Sequence, residues 1–152
     1  MTRPAPQAAR ASDWERLILP LRCQAEVVNG WLRQRLAAVL PAVMRREGLD
    51  MWIVVAREYN EDPVLLSLLP APMMSARRRT ILVFHAPAAG PFEAMAIANA
   101  GIGLDGFYTL MWDKSRTAQA AETQWQCLRR VVVHDRGPRG WSSRSESRGG
   151  RY

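Results

Sequence analysis

A chain of 152 residues with 48% hydrophobic content has the size of one globular domain and leaves no room for a second, catalytic domain. The formal net charge of +7 invites a nucleic-acid interpretation, but residues 129–152 hold seven of the 21 basic residues and only two of the 14 acidic ones. The first 128 residues therefore carry a balance of only +2, which gives no evidence for a basic groove on the folded part.

The N-terminal segment, residues 1–12, is rich in Pro, Ala and Arg, so we expect it to be disordered. It has no apolar signal region, and no later stretch approaches the ~18 uninterrupted apolar residues of a membrane-spanning helix. We therefore expect a soluble, cytoplasmic protein with no membrane partner. Cys23 and Cys127 are too few and too far apart for a disulfide scaffold or a zinc site, and we expect both to be buried free thiols.

A long amphipathic helix is predicted over residues 21–47, after a short helix over residues 13–19. Pro41 is expected to kink the long helix or to begin a second segment, and Gly48 is expected to cap its end. The apolar positions of the long helix recur at three- and four-residue steps: Ala25, Val28, Leu32, Leu36, Val39, Leu40 and Val43.

Residues 51–56, MWIVVA, are predicted to form the central strand of a sheet, buried on both faces. They run directly into residues 57–63, REYNEDP, in which Pro63 suits the first turn of a helix over residues 64–69. In an open α/β sheet, ligands and partners usually bind just past the strand ends. The segment after this strand is therefore the first place to look for a functional site.

The rest of the chain is predicted to supply three more strands and a closing helix. Residues 80–84, TILVF, form the second strand, residues 92–98 a third strand antiparallel to it, and residues 107–111 a fourth. Residues 135–152 are rich in Arg, Gly and Ser, so we expect no stable structure there. The closing helix, residues 117–132, is expected to bury Ala121, Trp125, Leu128 and Val132.

The acidic loop after the first strand is the strongest candidate site. Glu58, Glu61 and Asp62 could act as a paired acid and base, but acids in such a loop more often form a hydrogen-bonded turn or an interface. The basic run of residues 77–79 is expected to be paired with this loop.

Other motifs give no catalytic or cofactor site. His85 and His134 have no second ligand at metal-binding spacing. Gly101, Gly103 and Gly106 spell GxGxxG, but they precede a predicted strand rather than a helix, so a dinucleotide site is not predicted.

Two segments, VLPAVMRREGLDMWIVVAREYNEDPV and SARRRTILVF, resemble the N-terminal domain of Xaa-Pro aminopeptidases and prolidases, in the creatinase/aminopeptidase P superfamily. The similarity runs from about residue 21 to about residue 111, and the segment QWQCLRR extends it to about residue 132. It is specific in REYNEDP and ARRRTILVF and generic elsewhere. The resemblance implies an α/β fold of the ribonuclease-H-like type over residues 13–134, with a mixed sheet flanked by helices and an incomplete C-terminal end.

In this family the domain precedes a metallopeptidase domain, in which two Asp, one His and two Glu hold two divalent metal ions, often manganese. No position of this chain matches that motif, so the resemblance assigns no catalytic, cofactor-binding or metal-binding residue here and implies that the chain alone is inactive. It implies instead a non-catalytic module for oligomerisation and for the rim of the active site. The candidate contact residues are Arg57, Glu58, Tyr59, Asn60, Glu61, Asp62 and Arg77.

After residue 132 a family member would continue with another strand and the catalytic domain, and a truncated or frameshifted gene would give the tail found here instead. Loss of that strand would leave a sheet edge unpaired, so we expect a homo-oligomer or self-association, with the metallopeptidase domain as the missing partner. The alternative interpretation is a small nucleic-acid-binding protein that uses its basic Arg/Gly tail as an electrostatic arm. An independent enzyme using Glu58 or Glu61 ranks last.

Overall fold

The computed structural model describes residues 17–71, 73, 75–76, 78–99, 103–113 and 121–136. Its first part is helical: helix α1 spans Leu21–Gln34, a π-helical segment follows over Arg35–Val39, and helix α2 spans Leu40–Arg46. The predicted long amphipathic helix is therefore confirmed. The side chains that it buries lie four residues apart: Leu32, Leu36, Leu40 and Met44.

Pro41 explains why this helix changes type in its middle. Proline has no backbone N–H, and its ring clashes with the carbonyl four residues earlier, so it breaks or kinks a regular α-helix. Just before Pro41 the helix is π-helical, and the N–H of Leu40 donates to the carbonyl of Arg35, five residues earlier. A second α-helical segment then begins with Pro41 in its first turn. Gly48 follows the end of α2 with a φ of 64°, as the predicted cap requires.

Four strands form one mixed, open sheet in the order β1-β2-β3-β4. They are β1, Met51–Arg57; β2, Arg79–His85; β3, Glu93–Ile97; and β4, Thr109–Leu110. β2 is antiparallel to both β1 and β3, whereas β4 is parallel to β3. The four predicted strands are confirmed, although the fourth is shorter than expected, and the chain belongs to the α/β class.

The prediction that residues 51–56 form the central strand is wrong, because β1 lies at the edge of the described sheet. Val54 is buried, but Ile53 is 36% exposed and Val55 is 45% exposed, so only one face of β1 is well covered. The interior strands are β2 and β3, and residues 80–84 of β2 are all buried. A continuous apolar run identified the strand correctly but did not reveal its place in the sheet.

Helix α3, Pro63–Ser67, follows β1 as predicted and ends slightly earlier than expected. Asp62 caps this helix, since its Oδ1 accepts a hydrogen bond from the N–H of Val64 at 2.7 Å. Pro63 occupies the first turn, where its missing N–H leaves no helical hydrogen bond unmade. One of the predicted acidic residues therefore has a structural role.

The C-terminal helix α4, Gln124–Arg129, continues as a π-helical segment over Arg130–Asp135. Thr123 and Gln126 form a capping box that starts it: the Thr123 hydroxyl accepts from the Gln126 N–H at 3.2 Å, and Gln126 Oε1 accepts from the Thr123 N–H at 2.8 Å. The helix thus begins later than predicted, and residues 114–120 lie outside the described residues.

The face that α4 turns toward the sheet also differs from the prediction. Of the four predicted positions, Leu128 and Val132 are partly buried, Trp125 is half exposed, and Ala121 is exposed in the turn before the helix. The fully buried residues are Cys127 and Val131. The predicted and observed stripes are neighbouring faces of one helix, and both contain apolar residues. The packing of the helix against the sheet determines which of these two faces is buried.

The two faces of the sheet contribute to separate cores. One face packs against α1, α2 and α3, and the other packs against the C-terminal helix. The sheet residues of the first core include Val54, Leu82, Phe84 and Ala96. The second core contains Ile81, Val83, Met95, Ile97, Trp112, Cys127 and Val131.

The predictions for the N-terminal segment and the short helix after it fall mostly on residues 1–16, which lie outside the described residues, as does the tail from residue 137. The π-helical segment reaches Asp135, and Arg136 is also described, so described structure extends slightly beyond residue 134. None of the helices within the described ranges combines the length and the hydropathy that crossing a membrane requires.

Candidate functional site

The loop after β1 begins with a tight turn that exposes an aromatic side chain. The N–H of Asn60 donates to the carbonyl of Arg57 at 3.0 Å, and the two residues form an isolated β-bridge. Tyr59 lies inside this turn with a φ of 67° and is 94% exposed. The sequence-predicted residues 57–62 are thus brought together at one end of β1, whereas Arg77 lies outside the described residues.

The start of β2 lies beside this turn. The N–H of Glu58 donates to the carbonyl of Arg78 at 2.7 Å, and Arg57 pairs directly with Arg79 across the two strands. A recess of about 510 Å³ opens between the turn and the beginning of α4. Its lining residues are Arg57, Glu58, Tyr59, Arg78, Arg79 and Gln124.

The predicted ion pairing between the acidic loop and the basic run is not seen in the part of the chain that the structure describes. Arg78 and Arg79 make no side-chain ion pair with Glu58, Glu61 or Asp62 there. The guanidinium group of Arg79 lies instead over the ring of Trp125, 4.8 Å from its centroid. Arg79 was expected near this loop from the sequence, whereas Gln124 and Trp125 were missed because only the packing of the C-terminal helix brings them here.

A second polar cluster lies at the opposite end of the same sheet face. His85 Nδ1 is 3.1 Å from Glu93 Oε2, and Arg136 donates to both oxygens of Glu93 at 2.7 and 2.9 Å. These hydrogen bonds from Arg136 hold the pKa of Glu93 below its usual range, although partial burial opposes the shift. Arg136 was assigned to the tail from sequence, and no local signal connects it with a residue 43 positions earlier.

Because of the ion pair between Glu93 and Arg136, we expect the stability of the protein to fall in acid. A lowered pKa in the folded state means that the contribution of Glu93 is fully present above its unfolded pKa, near 4.5, and is lost as the pH falls through the lower folded value. Glu93→Gln should reduce stability near pH 7 by about 0.5–1 kcal/mol, the range of a solvent-screened ion pair. Urea unfolding measured from pH 7 down to about pH 3 should show a weaker acid dependence for this variant than for the wild type.

Glu26→Gln is the matched control, since Glu26 is exposed on α1 and has no ion pair among the described residues. An acid dependence that is the same in Glu93→Gln and in the wild type would contradict the assignment of this effect to the Glu93–Arg136 pair.

A third cluster fastens the C-terminal helix to the end of β4. Arg130 donates to both oxygens of Glu122 at 3.0 and 3.2 Å and to the carbonyl of Met111 at 3.3 Å. The hydrogen bonds from Arg130 lower the pKa of Glu122.

Burial, reinforced by the negative charge of Glu122, raises the pKa of the Cys127 thiol to about 11, so this thiol is protonated and unreactive at neutral pH. Cys127 is buried as predicted, whereas Cys23 is only partly buried.

The outer edge of β1 is the remaining feature of this region. The carbonyl of Asp50 accepts from the N–H of Ala86 at 2.8 Å, so the residues of β1 that bond to β2 are the even-numbered ones. The backbone groups of the odd-numbered residues point away from β2, and no described strand pairs with that side. Their side chains include the exposed Ile53 and Val55. β1 therefore presents backbone donors, backbone acceptors and apolar side chains together.

Within the described residues, no group of three or more His, Cys, Asp or Glu side chains could hold a metal ion. Comparison of the chain with protein-family models, with curated proteins and with solved structures found no match.

Proposed function

We propose that residues 17–136 form a non-catalytic association module, similar in role to the N-terminal domain of Xaa-Pro aminopeptidases and prolidases. The observation that carries this proposal is the open edge of β1 with the exposed side chains of Ile53 and Val55. The module would contribute to oligomerisation and, beside a metallopeptidase domain, to the rim of the active site. The two metal ions of the family would belong to that other domain.

The open edge favours association for a physical reason. An edge strand with unpaired N–H and C=O groups is a template for another strand, and soluble proteins usually protect such edges with lysine, proline or a bulge. β1 contains none of these in MWIVVAR, and its one charged residue, Arg57, lies at the end of the strand. A second strand paired here would satisfy the backbone groups and cover Ile53 and Val55.

The proposal includes a ribonuclease-H-like arrangement of the sheet. The antiparallel series β1-β2-β3 with helices packed on both faces supports it. In the family a further strand is expected after residue 132, and it would extend this sheet.

We expect the purified chain to self-associate through β1, with the β1 edge of another copy of the chain as the pairing strand. Ile53→Lys combined with Val55→Lys should weaken this association at least about tenfold, because two charged side chains on the edge oppose pairing. Size-exclusion chromatography with light scattering, over a range of protein concentrations, measures the change.

Val64→Lys is the matched control, because Val64 is 40% exposed on α3, which packs on the sheet face opposite the side chains of Ile53 and Val55. A wild-type chain that stays monomeric at every concentration, or a control variant that dissociates like the double variant, contradicts association through β1. Manganese-dependent hydrolysis of Xaa-Pro peptides by the purified chain would contradict the non-catalytic role.

A further inference from the structure

We propose that the recess between the β1 turn and the start of α4 binds a small oxyanion, namely the phosphate or carboxylate group of a soluble ligand. The recess is lined by three arginines, Arg57, Arg78 and Arg79, and by a single carboxylate, Glu58. Its lining therefore carries a formal charge of +2. This inference is independent of the association proposed for the edge of β1.

The strand register places two of these arginines directly opposite each other. Arg57 and Arg79 are direct partners across β1 and β2, and they form a non-hydrogen-bonded pair because the neighbouring Glu58–Arg78 pair is hydrogen-bonded. In such pairs the Cα atoms lie only about 4.5 Å apart and the side chains share one face of the sheet. Like charges in this position repel each other, and no described carboxylate forms an ion pair with either arginine. An anion bound between the guanidinium groups would remove this repulsion.

The wall of the recess is held in place before any ligand binds. Trp125 supports the guanidinium group of Arg79 from one side at 4.8 Å. Gln124 Nε2 donates to the carbonyls of Arg79 and Ile97 at 2.9 and 3.1 Å, which joins the start of α4 to β2 and β3. Donors that are already fixed lose little conformational entropy on binding, so they suit a small ligand.

The backbone on both sides of the recess adopts an unfavourable conformation. Tyr59 and Arg78 have φ values of 67° and 54°, and they are the non-glycine residues with positive φ in the described part of the chain. Both line the recess. L-residues in this conformation are strained, and such strain is concentrated at ligand sites and turns. The two strained residues thus lie on the two chain segments that form the walls of the recess.

Binding is tested by calorimetric titration of the chain with inorganic phosphate and with citrate at low ionic strength, against sodium chloride of equal ionic strength. We expect saturable binding of at least one of the two anions, and at least about tenfold weaker binding by Arg57→Gln or Arg79→Gln. Added salt should weaken binding because the charges are exposed. The indole N–H signal of Trp125, assigned with Trp125→Phe, should shift in NMR spectra as the anion binds.

Arg45→Gln provides the matched control, since Arg45 is an exposed arginine on α2 outside the recess. It should leave the affinity unchanged, and circular dichroism should confirm that all variants are folded. Phosphate binding alone identifies a phosphorylated ligand class, and citrate binding alone identifies a carboxylate class. The proposal is overturned if neither anion binds beyond chloride, or if the recess variants and Arg45→Gln bind equally well.

Discussion

Replacing Phe84 with alanine is expected to lower the free energy of unfolding by about 3–5 kcal/mol, the range for truncating a fully buried aromatic side chain. Phe84 is 0% exposed in the interior strand β2, and its ring centroid lies 5.8 Å from that of Trp52, 6.2 Å from that of Phe92 and 6.3 Å from that of Tyr108. Removing it leaves a cavity between β2 and the helices of the first core, and the surrounding rings can fill that space only in part. Chemical denaturation followed by circular dichroism measures the loss.

Tyr59→Ala removes an aromatic ring that is 94% exposed, so it is the matched control and should change stability by less than about 0.5 kcal/mol. If Phe84→Ala cost no more than Tyr59→Ala, the burial of Phe84 in the first core would be wrong.

Val131→Asp is expected to detach the C-terminal helix from the sheet at a cost on the order of 4 kcal/mol or more, because it places a carboxylate in an apolar core. Val131 is 0% exposed and packs with Ile81, Val83 and Cys127 in the second core. Detachment would also expose the Cys127 thiol. The rate at which a thiol reagent labels Cys127, compared with the wild type, therefore reports local opening separately from global unfolding.

Arg129→Asp tests whether the effect comes from burial rather than from a new negative charge on the same helix. Arg129 is exposed and forms no ion pair among the described residues, so this change should cost only about 0.5 kcal/mol and leave Cys127 protected. Equal labelling of Cys127 in the two variants would contradict the packing of Val131 against the sheet.

Local sequence signals predicted most of the elements. The four-residue spacing of Leu32, Leu36 and Leu40 identified the long helix, and Pro63 identified the start of α3. These predictions succeeded because periodicity, capping and proline geometry act over only a few residues.

Features that depend on distant partners could not be predicted in this way. The edge position of β1 depends on which strands pair with it, and its apolar sequence is compatible with an edge or a central strand. The recess arises because the register places Arg57 opposite Arg79 and the helix adds Gln124. Arg136 joins Glu93 only because the π-helical segment carries it across the sheet. In each case the deciding contact connects residues more than 20 positions apart.

The late position of α4 in the chain has a consequence for biosynthesis. The strands β1, β2 and β3 all precede α4 in the chain and can pair as they leave the ribosome, whereas the helix that covers Ile81, Val83 and Met95 is translated last among the described elements. Until α4 has been translated, this apolar surface of the sheet is exposed to solvent in the nascent polypeptide. Chaperones bind surfaces of this kind. Slow translation between residues 97 and 124 would lengthen the time for which this surface is exposed.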